Sequence, residues 1–98
     1  MARITIVSWR DIPAQVIVGK GRSAAKVPLP ERFEQAIDRA AMKAGVTGTD
    51  GYLAEWRKGE PEARDGEPED IARAEAARLE AEYDAPRLRA LIDAGGRA

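Results

Sequence analysis

The 98-residue chain contains no cysteine and no histidine. Without cysteine, the protein forms no disulfide bonds and carries no thiolate nucleophile or thiolate metal ligand. Without histidine, it lacks the side chain that most often acts as a general base near neutral pH and most often ligates metals. The composition therefore argues against an enzyme that acts alone. We expect no catalytic residues, no metal site and no cofactor.

Long apolar runs are also absent, since no stretch approaches the roughly 18 residues that a membrane-spanning helix needs. The N-terminal apolar run is too short for the core of a signal peptide. We therefore expect a cytoplasmic protein without a membrane partner. The length of 98 residues favours a single domain over 1–98.

The net charge is only −1, but the charges are unevenly distributed. Residues 1–58 contain 10 Lys and Arg against 6 Asp and Glu, a net charge of +4, and residues 59–98 contain 6 against 11, a net charge of −5. The near-neutral total and the acidic C-terminal part argue against nucleic-acid binding. The asymmetry fits attraction between the two parts, within one chain or between chains. A solvated surface of mixed charge is the simpler explanation.

Two segments near the N-terminus have the composition of β-strands. Residues 3–9 (RITIVSW) and 14–18 (AQVIV) are rich in β-branched and aromatic side chains. Between them, Asp11 and Pro13 favour a turn or a strand edge, so the segments predict an antiparallel hairpin. Residues 27–30 (VPLP) are extended and could add a short third strand, because proline disfavours helix in the residue before it.

Both faces of the predicted hairpin carry apolar side chains, because alternate residues of a strand share a face. One face carries Ile4, Ile6, Val16 and Val18. The other face carries Val7, Trp9 and Ile17. A hairpin that lies on helices needs only one apolar face, so we expect the first to pack on the helix that bears Phe33 and Ile37. The second face is a candidate interface with a protein partner or with a second copy of the chain.

Residues 30–45 (PERFEQAIDRAAMKAG) predict the clearest helix. Pro30 suits the first helical position, and Gly45 suits the position after the last turn. Between them an apolar stripe recurs at helical spacing and includes Phe33 and Ile37. We expect both side chains in the core. Three further core residues are expected: Ile4, Ile6 and Leu53.

The segments together predict an α+β fold, in which an N-terminal antiparallel hairpin, with or without a third short strand, packs on three to four α-helices. Four parts follow one another: a hairpin and basic loop over 3–29, a helical core over 30–57, a loop over 58–67 and C-terminal helices over 68–94. The helical core includes a short helix through YLAEWR (52–57), for which Thr47 and Asp50 fit a capping box.

One segment, GKGRS (19–23), has features of an anion site. Its two glycines allow backbone N–H groups to approach an anion, and two basic side chains add positive charge. The candidate anion-binding residues are Lys20, Gly21 and Arg22. The segment is not a P-loop, because the Gly-x4-Gly-Lys spacing is absent and no helix follows directly. A hairpin exit without a ligand explains the same residues.

Three segments in order carry a family resemblance: ITIVSWRDIPAQVIV (4–18), ERFEQAIDRAAMKAG (31–45) and YLAEWR (52–57). Over residues 3–58 the chain resembles a family of small bacterial proteins, the virulence factor domain family. The resemblance implies an accessory role beside corrinoid- and folate-dependent methyl transfer, in one-carbon or methionine metabolism. Because no histidine is present to ligate cobalt, the resemblance implies a helper protein rather than the protein that carries cobalamin.

Two functions remain open at this point. A non-enzymatic accessory or interaction subunit of a cytoplasmic bacterial system accounts for the second apolar face of the hairpin. A small accessory protein that binds an anion or another ligand through the Gly19–Ser23 loop accounts for the glycines and basic residues there. An enzyme acting alone is the weakest of the alternatives, because the chain lacks both histidine and cysteine.

Overall fold

The protein is described by a computed structural model over residues 2–19, 24–46 and 48–98, apart from the side chain of Thr49. It confirms the α+β class, with an N-terminal hairpin in an antiparallel sheet and with four helices in the described residues. The strands are β1 (Ala2–Trp9), β2 (Ile12–Val18), β3 (Ala25–Pro28), β4 (Trp56–Lys58) and β5 (Glu62–Arg64). The helices are α1 (Glu31–Lys43), α2 (Thr49–Ala54), α3 (Pro68–Glu82) and α4 (Ala85–Asp93).

All strand pairs in the described sheet are antiparallel, and β1 is its central strand. The order across the sheet is β3-β2-β1-β4, and β5 pairs with the other half of β1. The predicted hairpin is β1 with β2, and the predicted third strand is β3. On the far side of β1, β4 pairs with residues 7–9 and β5 with residues 2–4. Both edges of β1 are therefore occupied.

Two strands lie where the sequence predicts a helix and a loop. Helix α2 ends at Ala54, and Trp56 begins β4 instead of continuing the predicted helix over 52–57. Strand β5 lies inside the predicted loop over 58–67. Each of these strands has only three residues, which is too short for a recognisable alternation of polar and apolar side chains. They form because the edge of β1 offers backbone N–H and C=O groups that need partners.

A β-bulge interrupts the hairpin. The pairing shifts between Val7 and Ser8. Their partners on β2 are Gln15 and Pro13, so Ala14 between those two has no partner on β1. An extra residue of this kind bends its strand and increases the local twist. The end of the hairpin beyond the bulge therefore follows a different direction from the regular part.

The inner face of the sheet forms the first part of the core. Ile4, Val16 and Val18 are buried as predicted, whereas Ile6 keeps part of its surface exposed. Helix α3 packs against β1, β2 and β3. Its buried apolar residues are Ala72, Ala76 and Leu79. The sequence predicts α1 as the partner of the hairpin. In the structure α1 packs against β2 and more extensively against α4, and α3 packs more extensively than α1 against β2.

The helix α1 confirms most of the predicted core. Phe33 and Ile37 are both buried, and α1 packs against α4, where Leu88 and Leu91 are buried. The prediction for Leu53 is wrong, since 57% of this residue is exposed. The reason is local: in the six-residue helix α2, Tyr52 is the side chain that contacts the buried ring of Trp9.

The N-terminal caps of the first two helices differ from those that the sequence predicts. Pro30 is the N-cap of α1 and precedes its first helical residue, whereas Gly45 has a φ of +74°, as expected just after a helix. The N-cap of α2 is Gly48, which has no capping side chain. Thr47, from the predicted capping box, lies outside the described residues.

The charged side chain of Glu75 on α3 is buried. Arg78 donates hydrogen bonds from Nε and Nη2 to its two carboxylate oxygens at 2.8 and 2.7 Å. These hydrogen bonds lower the pKa of Glu75, although burial acts in the opposite direction. The carboxylate therefore stays ionised in the core because it is paired.

Candidate functional site: an open sheet face and an aromatic groove

The outer face of the sheet, opposite the buried valines of β2, is partly exposed. Its four central residues, which we call the open face, are all half-buried: Thr5, Val7, Gln15 and Ile17. Lys26 of β3 lies opposite Ile17, and Lys58 of β4 lies opposite Val7. Both lysines are exposed. The open face therefore has a small apolar centre with a positive charge on each side.

Trp9, which the sequence predicts on this interface, is not exposed, since 0% of its surface is accessible. Its indole Nε1 donates a hydrogen bond of 3.0 Å to the carbonyl oxygen of Tyr52. The two rings also stack, with their centroids 5.8 Å apart. Helix α2 thus covers this end of the outer face from within the chain. The prediction that Trp9 contacts a partner is wrong for this structure, whereas Val7 and Ile17 remain predicted interface residues.

Beside Val7 the open face continues into a groove of about 350 Å³. Its lining includes three aliphatic side chains: Val7, Leu29 and Ile37. Tyr52 and Trp56 also line it, with ring centroids 6.0 Å apart and ring planes at 79° to each other. Glu34 of α1 is the carboxylate among the lining residues. The groove therefore combines apolar walls, two nearly perpendicular aromatic rings, one acid and the amide of Gln15.

The electrostatic surroundings of Tyr52 are negative. Burial raises the pKa of Tyr52, and the nearby carboxylates of Asp38 and Glu34 raise it further. A carboxylate disfavours the phenolate because two negative charges repel each other. The hydroxyl of Tyr52 therefore stays protonated at neutral pH, and this end of the groove favours positive over negative ligands.

A second depression, of about 310 Å³, lies beside the turn between β1 and β2 and is lined by three arginines: Arg10, Arg57 and Arg87. Each guanidinium already has a carboxylate neighbour. Glu55 lies 3.3 Å from Arg10. Asp11 lies 2.5 Å from Arg57, and Glu82 lies 3.2 Å from Arg87. An anion would have to compete with these pairs, so the depression is better described as a network that holds the turn.

The predicted anion-binding residues, Lys20, Gly21 and Arg22, lie outside the described residues. The residue before them, Gly19, has a φ of +100°, a backbone conformation that residues other than glycine rarely adopt. The glycine at this position is therefore explained by the backbone. The anion site itself stays a prediction.

Over the described ranges, no group of three or more acidic side chains is arranged to hold a metal ion. Over the same ranges, no helix is both long enough and apolar enough to cross a lipid bilayer. That the chain has no cofactor and no catalytic residue stays an expectation from the composition.

The fold defines the chain as a small α+β protein with one partly exposed sheet face and an adjoining groove. Its sequence matches the family model described as "Virulence factor" over residues 7–92. The chain belongs to the virulence factor family, which confirms the resemblance seen in the sequence. No curated protein and no solved structure matches it.

The sequence alone does not reveal the groove. From their spacing, Tyr52 and Trp56 are expected on one side of a helix, but they lie on a helix and a strand that meet at the groove. Glu34 is one turn from Asp38 on α1, which ordinarily indicates a solvated helix face. The available signal was a pair of aromatic residues four positions apart in a chain with only five aromatics.

Proposed function

We propose that the chain is a non-enzymatic interaction subunit that binds an acidic protein partner through the open face. The observation that carries the proposal is the position of Val7 and Ile17, two half-buried apolar side chains at the centre of a sheet face. Apolar side chains at the centre of a patch with polar residues around it are typical of protein interfaces.

The charges around the open face favour a negatively charged partner. Lys26 and Lys58 lie on its two sides. Arg3, which is exposed, lies on the same face of β1 as Thr5 and Val7 by the two-residue period. Opposite charges at the rim of an interface accelerate association and set the orientation of the partner. A second copy would offer its acidic C-terminal part, where residues 59–98 have a net charge of −5 (6 against 11).

The experiment compares the wild type with Ile17→Glu, which places a negative charge at the centre of the open face. Met42→Glu is the matched control, because Met42 is 71% exposed and lies on α1, outside the open face. Quantitative capture from the native lysate and light scattering should show partners or oligomers with the wild type and the control. Both should be lost with Ile17→Glu. Equal capture by all three proteins, with each folded by circular dichroism, would refute the proposal.

A finer proposal names the class of partner. The family resemblance supports a partner from corrinoid- or folate-dependent methyl transfer in a cytoplasmic bacterial system, and this part rests on the resemblance alone. The same capture experiment tests it, because methyltransferases or folate enzymes should then be among the proteins lost with Ile17→Glu. A specific partner from another pathway would refute this finer proposal and leave the general one standing.

A further inference from the structure

The groove beside Val7 has the components of a site for an organic cation. Tyr52 and Trp56 both line it, and their rings stand at 79° with centroids 6.0 Å apart. The face of an aromatic ring carries a negative partial charge and attracts cations, most strongly for tryptophan. Two rings at nearly a right angle can form adjacent walls of one site. The ring of Tyr52 is held in place by stacking on the buried Trp9.

The charge that lines the groove is negative, as a site for a cation requires. Glu34 lines it, and the carboxylates of Asp38 and Glu34 both raise the pKa of Tyr52, which agrees with a negative environment. An anion would be repelled by this arrangement. Lys58 lies opposite Val7 in the sheet register, but it is not among the lining residues, which carry no positive charge.

The apolar part of the lining selects among cations. Val7, Leu29 and Ile37 offer no acceptors from their side chains for the N–H groups of a primary ammonium ion. Such an ion could donate to Glu34 and Gln15, acceptors in the lining, but an N–H group turned toward the aliphatic walls would lose its hydrogen bond to water without replacement. A quaternary ammonium ion has no N–H groups, and its methyl groups can contact both the aliphatic and the aromatic walls.

We propose that the groove formed by Tyr52, Trp56, Glu34 and the aliphatic residues beside them binds a small quaternary ammonium ion. The volume of about 350 Å³ is at the small end of the range for ligand sites. The ligand class is therefore a free small molecule with a trimethylammonium group. This inference does not depend on the proposed partner on the open face.

The probe is choline, and the readout is the indole N–H signals of the 15N-labelled full chain. The chain has two tryptophans, so two such signals are expected. The signal of Trp56, which lines the groove, should move in a saturable way with a Kd of about 1 mM. The neutral carbon analogue 3,3-dimethylbutanol has the same shape without the charge and should bind roughly tenfold more weakly.

The variants test the carboxylate and the ring separately. Glu34→Gln keeps the size of the side chain and should weaken choline binding roughly threefold to tenfold. Glu31→Gln is the matched control, because Glu31 is an exposed acid on the same helix that does not line the groove. Trp56→Leu should abolish saturable binding of choline, followed through the backbone amides around Tyr52. Since Glu34 is exposed, Glu34→Gln should fold even if Trp56→Leu does not.

Equal affinity for choline and for its neutral analogue would overturn the inference, since the groove would then be only apolar. Equal weakening by the Glu34 and Glu31 variants would also overturn it. So would the absence of any saturable shift at roughly ten times the expected Kd. A peptide with trimethyllysine that binds much more tightly than choline would overturn the assignment to a free small molecule. These outcomes are independent of the proposed function, which is tested with Ile17→Glu.

Discussion

Trp9 and Tyr52 lie 43 positions apart in the sequence and are joined twice, by a hydrogen bond of 3.0 Å from the indole Nε1 to the Tyr52 carbonyl and by stacked rings. This contact holds α2 against the hairpin, so that α2 covers one end of the outer sheet face. It also orders the ring that stands beside Trp56 in the groove. A residue that is itself inaccessible to a partner therefore helps to position one wall of the groove.

Replacing Trp9 with alanine should lower the free energy of unfolding by about 3–5 kcal/mol, because a large, completely buried side chain is removed. Trp9→Phe should lower the free energy of unfolding by less, because it keeps an aromatic ring. Its remaining cost includes the lost hydrogen bond to Tyr52. Urea unfolding followed by circular dichroism measures both. A Trp9→Ala variant with an unchanged midpoint would contradict the burial described above.

Gly96 lies against the same indole and should tolerate no side chain. Its φ is +91°, and a Cβ added there would lie 2.8 Å from Cζ3 of Trp9. Gly96→Ala should therefore cost about 1–3 kcal/mol of stability, from backbone strain and from displacement of the ring. Gly59→Ala is the control, because its Cβ would make only an ordinary contact at 3.5 Å. Equal thermal midpoints for the two variants would contradict this prediction.

Phe33 and Leu53, which the sequence treats alike, should respond differently to truncation. Phe33 is buried in α1, so Phe33→Ala should cost about 3–5 kcal/mol, a large part of a small domain's stability. Leu53 is exposed, and Leu53→Ala should change stability by no more than about 0.5 kcal/mol. Denaturant titration of the two variants checks this. A loss of similar size in both would mean that Leu53 is part of the core after all.

The pair of Glu75 and Arg78 predicts how stability depends on pH. Because the pKa of Glu75 is lowered in the folded protein, its contribution is present above the ordinary carboxyl pKa and is lost as the pH falls through the lowered one. Arg78→Met should cost about 1.5–3 kcal/mol at neutral pH, since it leaves a buried carboxylate without its donor. As the pH falls below about 4, the difference from the wild type should shrink, because Glu75 is protonated first in the unfolded chain and then, through its lowered pKa, in the folded protein.

Arg73→Met is the control for this measurement, because Arg73 is an exposed residue of the same helix. It should show the same small difference from the wild type at every pH. Arg78 also pairs with the exposed Glu82, but an exposed pair of this kind contributes little. A deficit of Arg78→Met that is the same at acidic and neutral pH would count against the role assigned to Glu75.

The basic loop gives a prediction that is independent of the groove. If residues 19–23 bind an anion, millimolar phosphate, a nucleotide or folate should raise the thermal midpoint of the wild type. A double variant with Lys20→Ala and Arg22→Ala should lose that increase and keep the midpoint of the unliganded protein. Differential scanning fluorimetry measures both. If none of the three anions shifts the wild type, the anion-binding function should be abandoned.

Much of the fold follows from local patterns in the sequence. The hairpin was predictable because β-branched residues fill both segments and turn residues separate them. Helix α1 was predictable because proline, an apolar stripe and glycine occur in the order that a helix requires. Phe33, Ile37 and Ile4 are buried as these periods predict. The two-residue period of a strand and the 3.6-residue period of a helix identify which side chains share a face. For the hairpin and α1, this information was sufficient to predict these three core residues.

The candidate site was less predictable, because its residues come from many separate elements. Val7 is on β1, Glu34 on α1, Tyr52 on α2 and Trp56 on β4. No spacing in the sequence relates a helix at residue 34 to a strand at residue 56. The expected exposure of Trp9 failed for a similar reason, because its cover is a helix more than 40 residues away.

The sequence by itself determined the α+β class, the hairpin, the long helices and the chemistry that the chain lacks, because each of these depends on residue types and on spacings within one element. Only the tertiary structure decided that residues 56–58 and 62–64 are strands, since three residues pair only where a neighbouring strand edge is free. It also decided which apolar face of the hairpin stays open. That choice depends on where α2 and α3 pack, and packing is a property of the whole chain rather than of any segment.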